Sequence, residues 1–417
     1  MAVAVEPAVR KKVLRVVFIS LLLDLVSFTF ILPLFPSLLE FYRSQEAPIE
    51  FSSARKSPSV LAHILSYLNA YKASFSRPID SRYDIVLLGG ALGSLFSLLQ
   101  AFASPIIGHL SDRYGRRTAL LFSMTGNILS VLLWVMATDF RTFLLSRIVG
   151  GLSEGNVQLA IAIATDISDE KQRGATMALV GICFSIKTLP SKVASAKLAA
   201  SNTKTTTNGH PAIKTNGTTK APAKPFTRTN SHFLLNLTHL TFILFFSGME
   251  FSLPFMTFDL FGYTSARNGR LLGYMGLIAS LLQGGITRRL PPLLSVRIGV
   301  VSCLLALFLL ARIDTQAGLY LATTLLAVTT ATVVTGLNAL SSFEAGEDER
   351  GAKLGNLRSW GQFGRGVGPL LFTSVYWWAG REVAYSIGGM GVLGVSMVVF
   401  FGLKDPGKGK KIVEVEL

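Results

Sequence analysis

The chain has 417 residues, of which 50% are hydrophobic and 15% charged, and its mean hydropathy is +0.48. That balance excludes both an ordinary soluble domain and a disordered chain, and fits a polytopic membrane protein. The net charge of +16 would suit a nucleic-acid binder, but the lysines and arginines fall between apolar runs rather than along one stripe, so membrane topology accounts for them better.

Arg10, Lys11 and Lys12 precede an apolar run over residues 13–39, which carries Asp24 and Pro33. The run is too long for a signal peptide and reads as a first membrane helix with its amino end in the cytosol. Residues 40–83 form a mixed-charge loop facing the outside or a lumen, and within it residues 59–75 are apolar enough for a short interfacial helix. Two runs that meet the ~20-residue requirement for crossing a bilayer follow, at about 85–107 and 118–136. Between them lies Gly108-His-Leu-Ser-Asp-Arg-Tyr-Gly-Arg-Arg117, whose arginines place it in the cytosol. A fourth run, at about 143–164, contains Arg147, Gly150, Gly151, Glu154, Gly155 and Asn156.

A cytosolic loop over 166–173 leads into residues 174–186, too short a run to span. Residues 187–232 hold eight Lys/Arg and no acid among Thr, Ala, Asn, Ser and Pro, the composition of a disordered cytosolic linker. Six more apolar runs lie near 233–260, 271–286, 291–311, 319–340, 360–378 and 383–403. The reading is therefore ten full spans and a stub, arranged as a first half over 1–186, a linker over 187–232 and a second half over 233–417. With the stub not crossing, both termini and the linker are cytosolic, as the distribution of basic residues requires.

The loop at 108–117 is where a resemblance becomes specific. Gly108, Leu110, Asp112, Arg113, Gly115, Arg116 and Arg117 fill every position of G-x-L-x-D-R-x-G-R-R, the motif between the second and third helices of the major facilitator superfamily. Ser-Arg147-Ile-Val-Gly-Gly-Leu-Ser-Glu-Gly-Asn156, Phe-Ser-Gly-Met-Glu250-Phe and Leu-Arg358-Ser-Trp-Gly resemble the tetracycline-transporter-like branch of that superfamily. The resemblance implies an all-α fold of two pseudo-symmetric helical bundles, with about 10–11 membrane helices present here. It also implies secondary, proton-coupled export of small organic ions or drugs by alternating access, with no enzyme activity and no metal, cofactor, nucleotide or nucleic acid. Gly402-Leu-Lys-Asp-Pro-Gly-Lys408 nearly spells a nucleotide-binding loop, but Gly409 stands where a Ser or Thr would hold magnesium.

The two halves echo each other: Arg173-Gly174-Ala175 and Arg350-Gly351-Ala352 each follow an acidic cluster, 177 residues apart. The second echo continues into a full helix, whereas the first runs into polar sequence after Ile186. Half of the fifth helix and all of the sixth are missing on this reading, through a skipped exon or gene-model error, or through natural shortening. A transport-incompetent truncated isoform, or a membrane sensor keeping the scaffold, is the alternative function.

Ionisable residues within spans need partners or water. Arg147 and Glu154, seven apart, would share one face of the fourth helix, either in a cavity or locking it to the first helix; the resemblance gives Arg147 a part in proton coupling. Glu250 is a proton carrier if apolar neighbours desolvate it, or a structural carboxyl bonded to the first helix or to the one over 319–340. Asp24 either enters the site or packs toward the fourth or fifth span, and Arg365 either contacts an anionic solute or snorkels at the cytosolic mouth. His239 reads as a satisfied core or interfacial histidine. In the loop, the resemblance implies a conformational latch: Asp112 pairs across to the eleventh helix, and the arginines hold Asp166. Two sequons, Asn216-Gly-Thr218 and Asn236-Leu-Thr238, should both stay unmodified, the first on the cytosolic side and the second inside a helix.

Overall fold

The computed structural model describes residues 7–31, 35–46, 59–75, 84–168, 176, 228–346 and 348–406, and every element among them is helical. The first half comprises α1 (Pro7–Ile31), α2 (Phe35–Glu46), α3 (Val60–Ala73), α4 (Asp84–Tyr114), α5 (Arg116–Val135), α6 (Phe140–Ser153) and α7 (Asn156–Asp166). The second comprises α8 (His232–Phe261), α9 (Ser265–Gly285), α10 (Pro292–Arg312), α11 (Gln316–Glu344), α12 (Arg350–Ala379) and α13 (Arg381–Met397), with a 3-10 turn at Thr287–Arg289 and a π turn at Val398–Gly402.

Among the described residues, seven helical segments are long and apolar enough to cross a bilayer: α4, α5, α6 with α7, α8, α10, α11, and α13 with its π turn. The other expected spans are helical too, in α1, α9 and α12. Helix α12 is less apolar because it carries Lys353, Arg358, Arg365 and a series of glycines.

The first run is helical over Pro7–Ile31 and again over Phe35–Glu46; residues 32–34, with Pro33, lie outside the described set. The helix expected at 59–75 is present, capped by the Ser59 hydroxyl accepting the Ala62 N–H at 3.1 Å. Leu61 is buried with Leu39, Tyr42, Leu88, Leu92, Phe140 and Phe143, so α3 is rooted in the first half through α2, α4 and α6.

One sequence expectation is corrected: the fourth run is not a single helix but breaks at Glu154–Gly155. Glu154 leaves helical geometry at φ −70°, ψ 85°, and Ser123 of α5 splints the gap: its hydroxyl accepts the Gly155 N–H at 2.8 Å and donates to the Ser153 carbonyl. Without that splint, two backbone groups freed by the break would be unsatisfied in a medium that offers no water.

The stub, the missing fifth and sixth helices and the linker with Asn216 fall on residues 169–227, outside the described residues apart from Thr176. Residues 229–232, at the expected linker's end, are held by Glu344, which is 1% exposed. Its carboxylate accepts the N–H groups of Thr229 and Asn230 at 2.8 and 3.0 Å and the Asn230 amide at 2.8 Å. Asn230 in turn bonds the backbone of Lys404, donating at 2.9 Å and accepting at 2.7 Å. The start of α8, the end of α11 and the segment after α13 are thereby tied together.

The two halves meet chiefly along α4 and α12. Gly108 of α4 and Gly351 of α12 face each other so closely that a Cβ on Gly108 would strike the Gly351 carbonyl, and a Cβ on Gly355 would lie 2.6 Å from the Ser104 carbonyl oxygen. Small residues let two backbones approach this closely where lipid supplies no hydrophobic driving force between helices. On its other side α12 packs on α8 in the same way: a Cβ on Gly364 would lie 2.6 Å from the Leu240 carbonyl oxygen.

Candidate functional site

The ionisable residues fall into layers along α12. At its start lies the α4–α5 loop, turned by Gly115 at φ +91°, a backbone angle that favours glycine. Asp112 accepts the N–H groups of Gly351 and Ala352 at 2.9 and 2.7 Å. A side chain of one half thus caps a helix of the other, where the unpaired N–H groups and the dipole favour an anion. Arg116 donates to Asp112 and Ser111, both at 2.5 Å, and to Asp166 at 2.8 Å. Asp166, at the end of α7, also receives Arg350 at 2.6 Å. Of the expected latch residues the fold brings together Gly108, Asp112, Gly115, Arg116 and Asp166, and it adds Arg350. Arg113 and Arg117 are exposed, the Arg113 guanidinium lying 5.5 Å from the centre of the Tyr114 ring.

Two turns further into α12, Arg358 lies 3.9 Å from Glu154 and 3.4 Å from the Gln100 amide oxygen of α4. Asn127 of α5 donates to Glu154 at 3.3 Å. The break between α6 and α7 swings Glu154 toward this seam, so Arg147 and Glu154 do not share one continuous helical face. Arg147 is buried among aromatic rings instead, its guanidinium 5.6 Å from Phe96, 5.8 Å from Phe143 and 5.9 Å from Trp134.

Deeper still, Arg365 lies 3.8 Å from Glu250 of α8, their side chains 42% and 39% exposed. Arg365 is fifteen residues beyond Arg350, about 22 Å along the helix at 1.5 Å per residue. The Glu250 side chain is 39% exposed and faces a cation as well as apolar neighbours. Between these layers His239 is buried, and its Nδ1 is 2.8 Å from the Leu357 carbonyl, as a satisfied core histidine would be. Asn236 is buried within α8. The Asp24 side chain lies outside the described residues.

Sequence reasoning passed over Gln100, Asn127 and Arg350, and it quoted Arg358 only within a motif. For Arg350 a signal was available, since it heads the internal echo. Gln100 and Asn127 carried none, because single amides in apolar helices are common and only the packing shows which of them meet.

Two helical bundles joined along glycine-lined helices, with charges in layers through the membrane-spanning core and a charged clasp at one end, fit a multi-pass membrane transporter. The sequence matches the Major Facilitator Superfamily over residues 17–189 and again over 189–369, and the chain belongs to that family. It is 30% identical to mouse Major facilitator superfamily domain-containing protein 10, over 92% of this chain and 91% of the mouse protein. A shorter match, 33% identical over 30% of each chain, is to the class C tetracycline resistance protein of Escherichia coli. The crystal structure of the human organic anion transporter MFSD10 (TETRAN) superposes with a TM-score of 0.79 at 27% identity, covering 94% of this chain and 100% of that one. Such relatives are transporters of small solutes, not enzymes.

Proposed function

We propose that the chain exports small organic ions, organic anions among them, by alternating access, and that proton movement drives it. The observation that carries this reading is the Glu250–Arg365 pair. Charges on membrane helices avoid lipid, so a pair of which about 40% of each side chain is exposed implies a water-filled cavity beside α8 and α12. In that cavity Arg365 offers an anion a planar, permanently charged fork. Glu250 competes with the solute for it. A solute carboxylate and the ionised Glu250 exclude each other on Arg365, whereas a cationic solute held by ionised Glu250 is displaced by an incoming proton, which exchanges proton entry for solute exit.

The organic-anion activity named for the human relative supports the substrate class, and the tetracycline resistance proteins support export. The charged clasp around Asp112, set on the cytosolic side by the loop arginines, supports a closing device at that mouth. Transport in reconstituted vesicles tests the reading. Glu250→Gln should lose the response to a pH gradient while retaining exchange of solute for solute, because only the proton step requires an ionisable oxygen. An unchanged pH dependence would remove Glu250 from coupling. Arg365→Gln should lose both activities for carboxylate solutes.

A further inference from the structure

The end of the molecule opposite the Asp112 clasp is bridged as well, by a device of different chemistry. Helix α3 belongs to the first half by its core contacts, yet its last turn reaches the second half. The Tyr71 hydroxyl lies 2.7 Å from Ser374 Oγ of α12. The Tyr71 and Phe75 rings lie 6.2 and 6.0 Å from Trp377, both edge-on, and Trp377 lies 5.7 Å from Phe255 of α8. The base of this reach is fixed by Lys72, which bonds Asp84 at the first residue of α4, with Arg43 of α2 3.7 Å from the same carboxylate. Helix α4 runs 31 residues from Asp84 to the clasp at its far end, about 46 Å.

We propose that α3 is the gate of the mouth opposite the clasp, an arm rooted in one half whose aromatic tip, Tyr71 with Phe75, closes on Trp377, Phe255 and Ser374 of the other. The proposal rests on the alternating-access reading above. The arm is built to release: between the halves it makes one hydroxyl contact and edge-on ring contacts, each ring pair worth about 0.5–1.5 kcal/mol beyond its burial. Its charged anchors, Lys72–Asp84 and Arg43–Asp84, all stay within the first half. Among the described residues, release of the arm therefore breaks the ring cluster and one hydrogen bond and leaves its charged anchors paired. At the other mouth, separation must undo the bonds that Asp112 accepts from the Gly351 and Ala352 N–H groups and the Arg350–Asp166 ion pair, all of which cross between the halves. Two closures of unequal strength at opposite ends give a molecule whose resting preference is set by the clasp and whose α3 gate opens more readily.

The test is distance measurement between spin labels at Tyr67→Cys and Trp378→Cys, both on exposed positions beside the tip, in lipid nanodiscs with Cys183→Ala and the buried Cys303 left in place. With the clasp intact the expected distribution has a short and a long population. Adding Tyr71→Ala should enlarge the long one, Tyr71→Phe should do so less, and Asp112→Asn, which frees the opposite mouth, should collapse the distribution to the short one. A single short distance unaffected by Tyr71→Ala and Asp112→Asn would overturn the gate. Solute flux is read separately: a chain that moves aromatic carboxylates in no condition counts against the transporter reading, while the label distances by themselves decide whether α3 opens.

Discussion

Asp112 holds the backbone of Gly351 across the seam between the two halves, its Oδ1 accepting the Gly351 N–H at 2.9 Å. The contact exists because neither helix has a side chain in the way: Gly108 lets the Gly351 carbonyl approach, and Gly351 leaves room for both Asp112 and Arg116. The motif's acid and its first glycine are thus two parts of one interface.

Replacing Asp112 with Asn keeps its shape but removes the charge that faces the α12 terminus and Arg116. A cap of this kind contributes about 1 kcal/mol, and the loss should appear as a shift toward the form open at the clasp. A cysteine at Ser359, whose hydroxyl now bonds the Ala101 carbonyl across the seam at 2.6 Å, should react with a water-soluble thiol reagent several-fold faster in the Asp112→Asn background. Equal rates would mean that the clasp does not hold this seam shut.

Adding one methyl at Gly108 or Gly351 should be far more harmful than the same change at Gly269. The first two methyls would meet backbone or the clasp itself, whereas one on Gly269 would meet nothing within 4 Å. Overpacking of this type costs about 1–3 kcal/mol, and Gly269→Ala within α9 should be neutral or stabilise by up to ~1 kcal/mol. Thermal melting in detergent checks the order. A Gly108→Ala protein as stable as the parent would contradict the close approach.

Glu154 and Arg358 should show coupling in a double-mutant cycle. Each single substitution to Gln leaves the other charge in a mostly buried place, their side chains being 17% and 16% exposed, and breaking buried pairs of this sort is costly, up to about 3–5 kcal/mol for a tight one. At 3.9 Å a smaller loss is expected, with the double variant regaining part of it. Strict additivity of the two losses would show that the pair is incidental.

Glu349, beside the clasp, is held below its ordinary value of 4.5: burial opposes ionisation, but the charges of Lys353 and Arg228, with hydrogen bonds from Arg228 and Gly346, outweigh it. A carboxylate depressed in the folded state stabilises the fold above its unfolded value, and that stabilisation is lost as pH falls through the folded value. Glu349→Gln should therefore lower the melting temperature slightly at neutral pH, with the gap from the parent closing as pH falls below the ordinary value of 4.5. The effect is small because the side chain is 38% exposed and solvent screens its pairs. A gap of constant size down to the acid limit would assign the effect to packing instead.

Apolar runs of bilayer length, the basic bias of one set of loops and the motif at 108–117 by themselves determined that this chain crosses a membrane many times and belongs among the facilitators. Those properties are local: span length follows from the rise per residue, and loop charge from the energy of moving a cation through lipid. The internal echo, from which the division into halves was read, is a pattern of the same local kind.

Which charges meet was decided by tertiary structure. Helix α6 ends at Glu154 because Ser123, thirty-two residues before Gly155 in sequence, satisfies the broken backbone. Arg365 pairs with Glu250 because the glycines of α12 draw it against α8. The loop helix α3 acts between the halves because Leu61 roots it in one while Tyr71 reaches Ser374 in the other, 303 residues away. A one-dimensional pattern gives the face and depth of a charge, but the free energy of placing it in a membrane depends on the partner that arrives from another helix, and only the packed chain brings the two together.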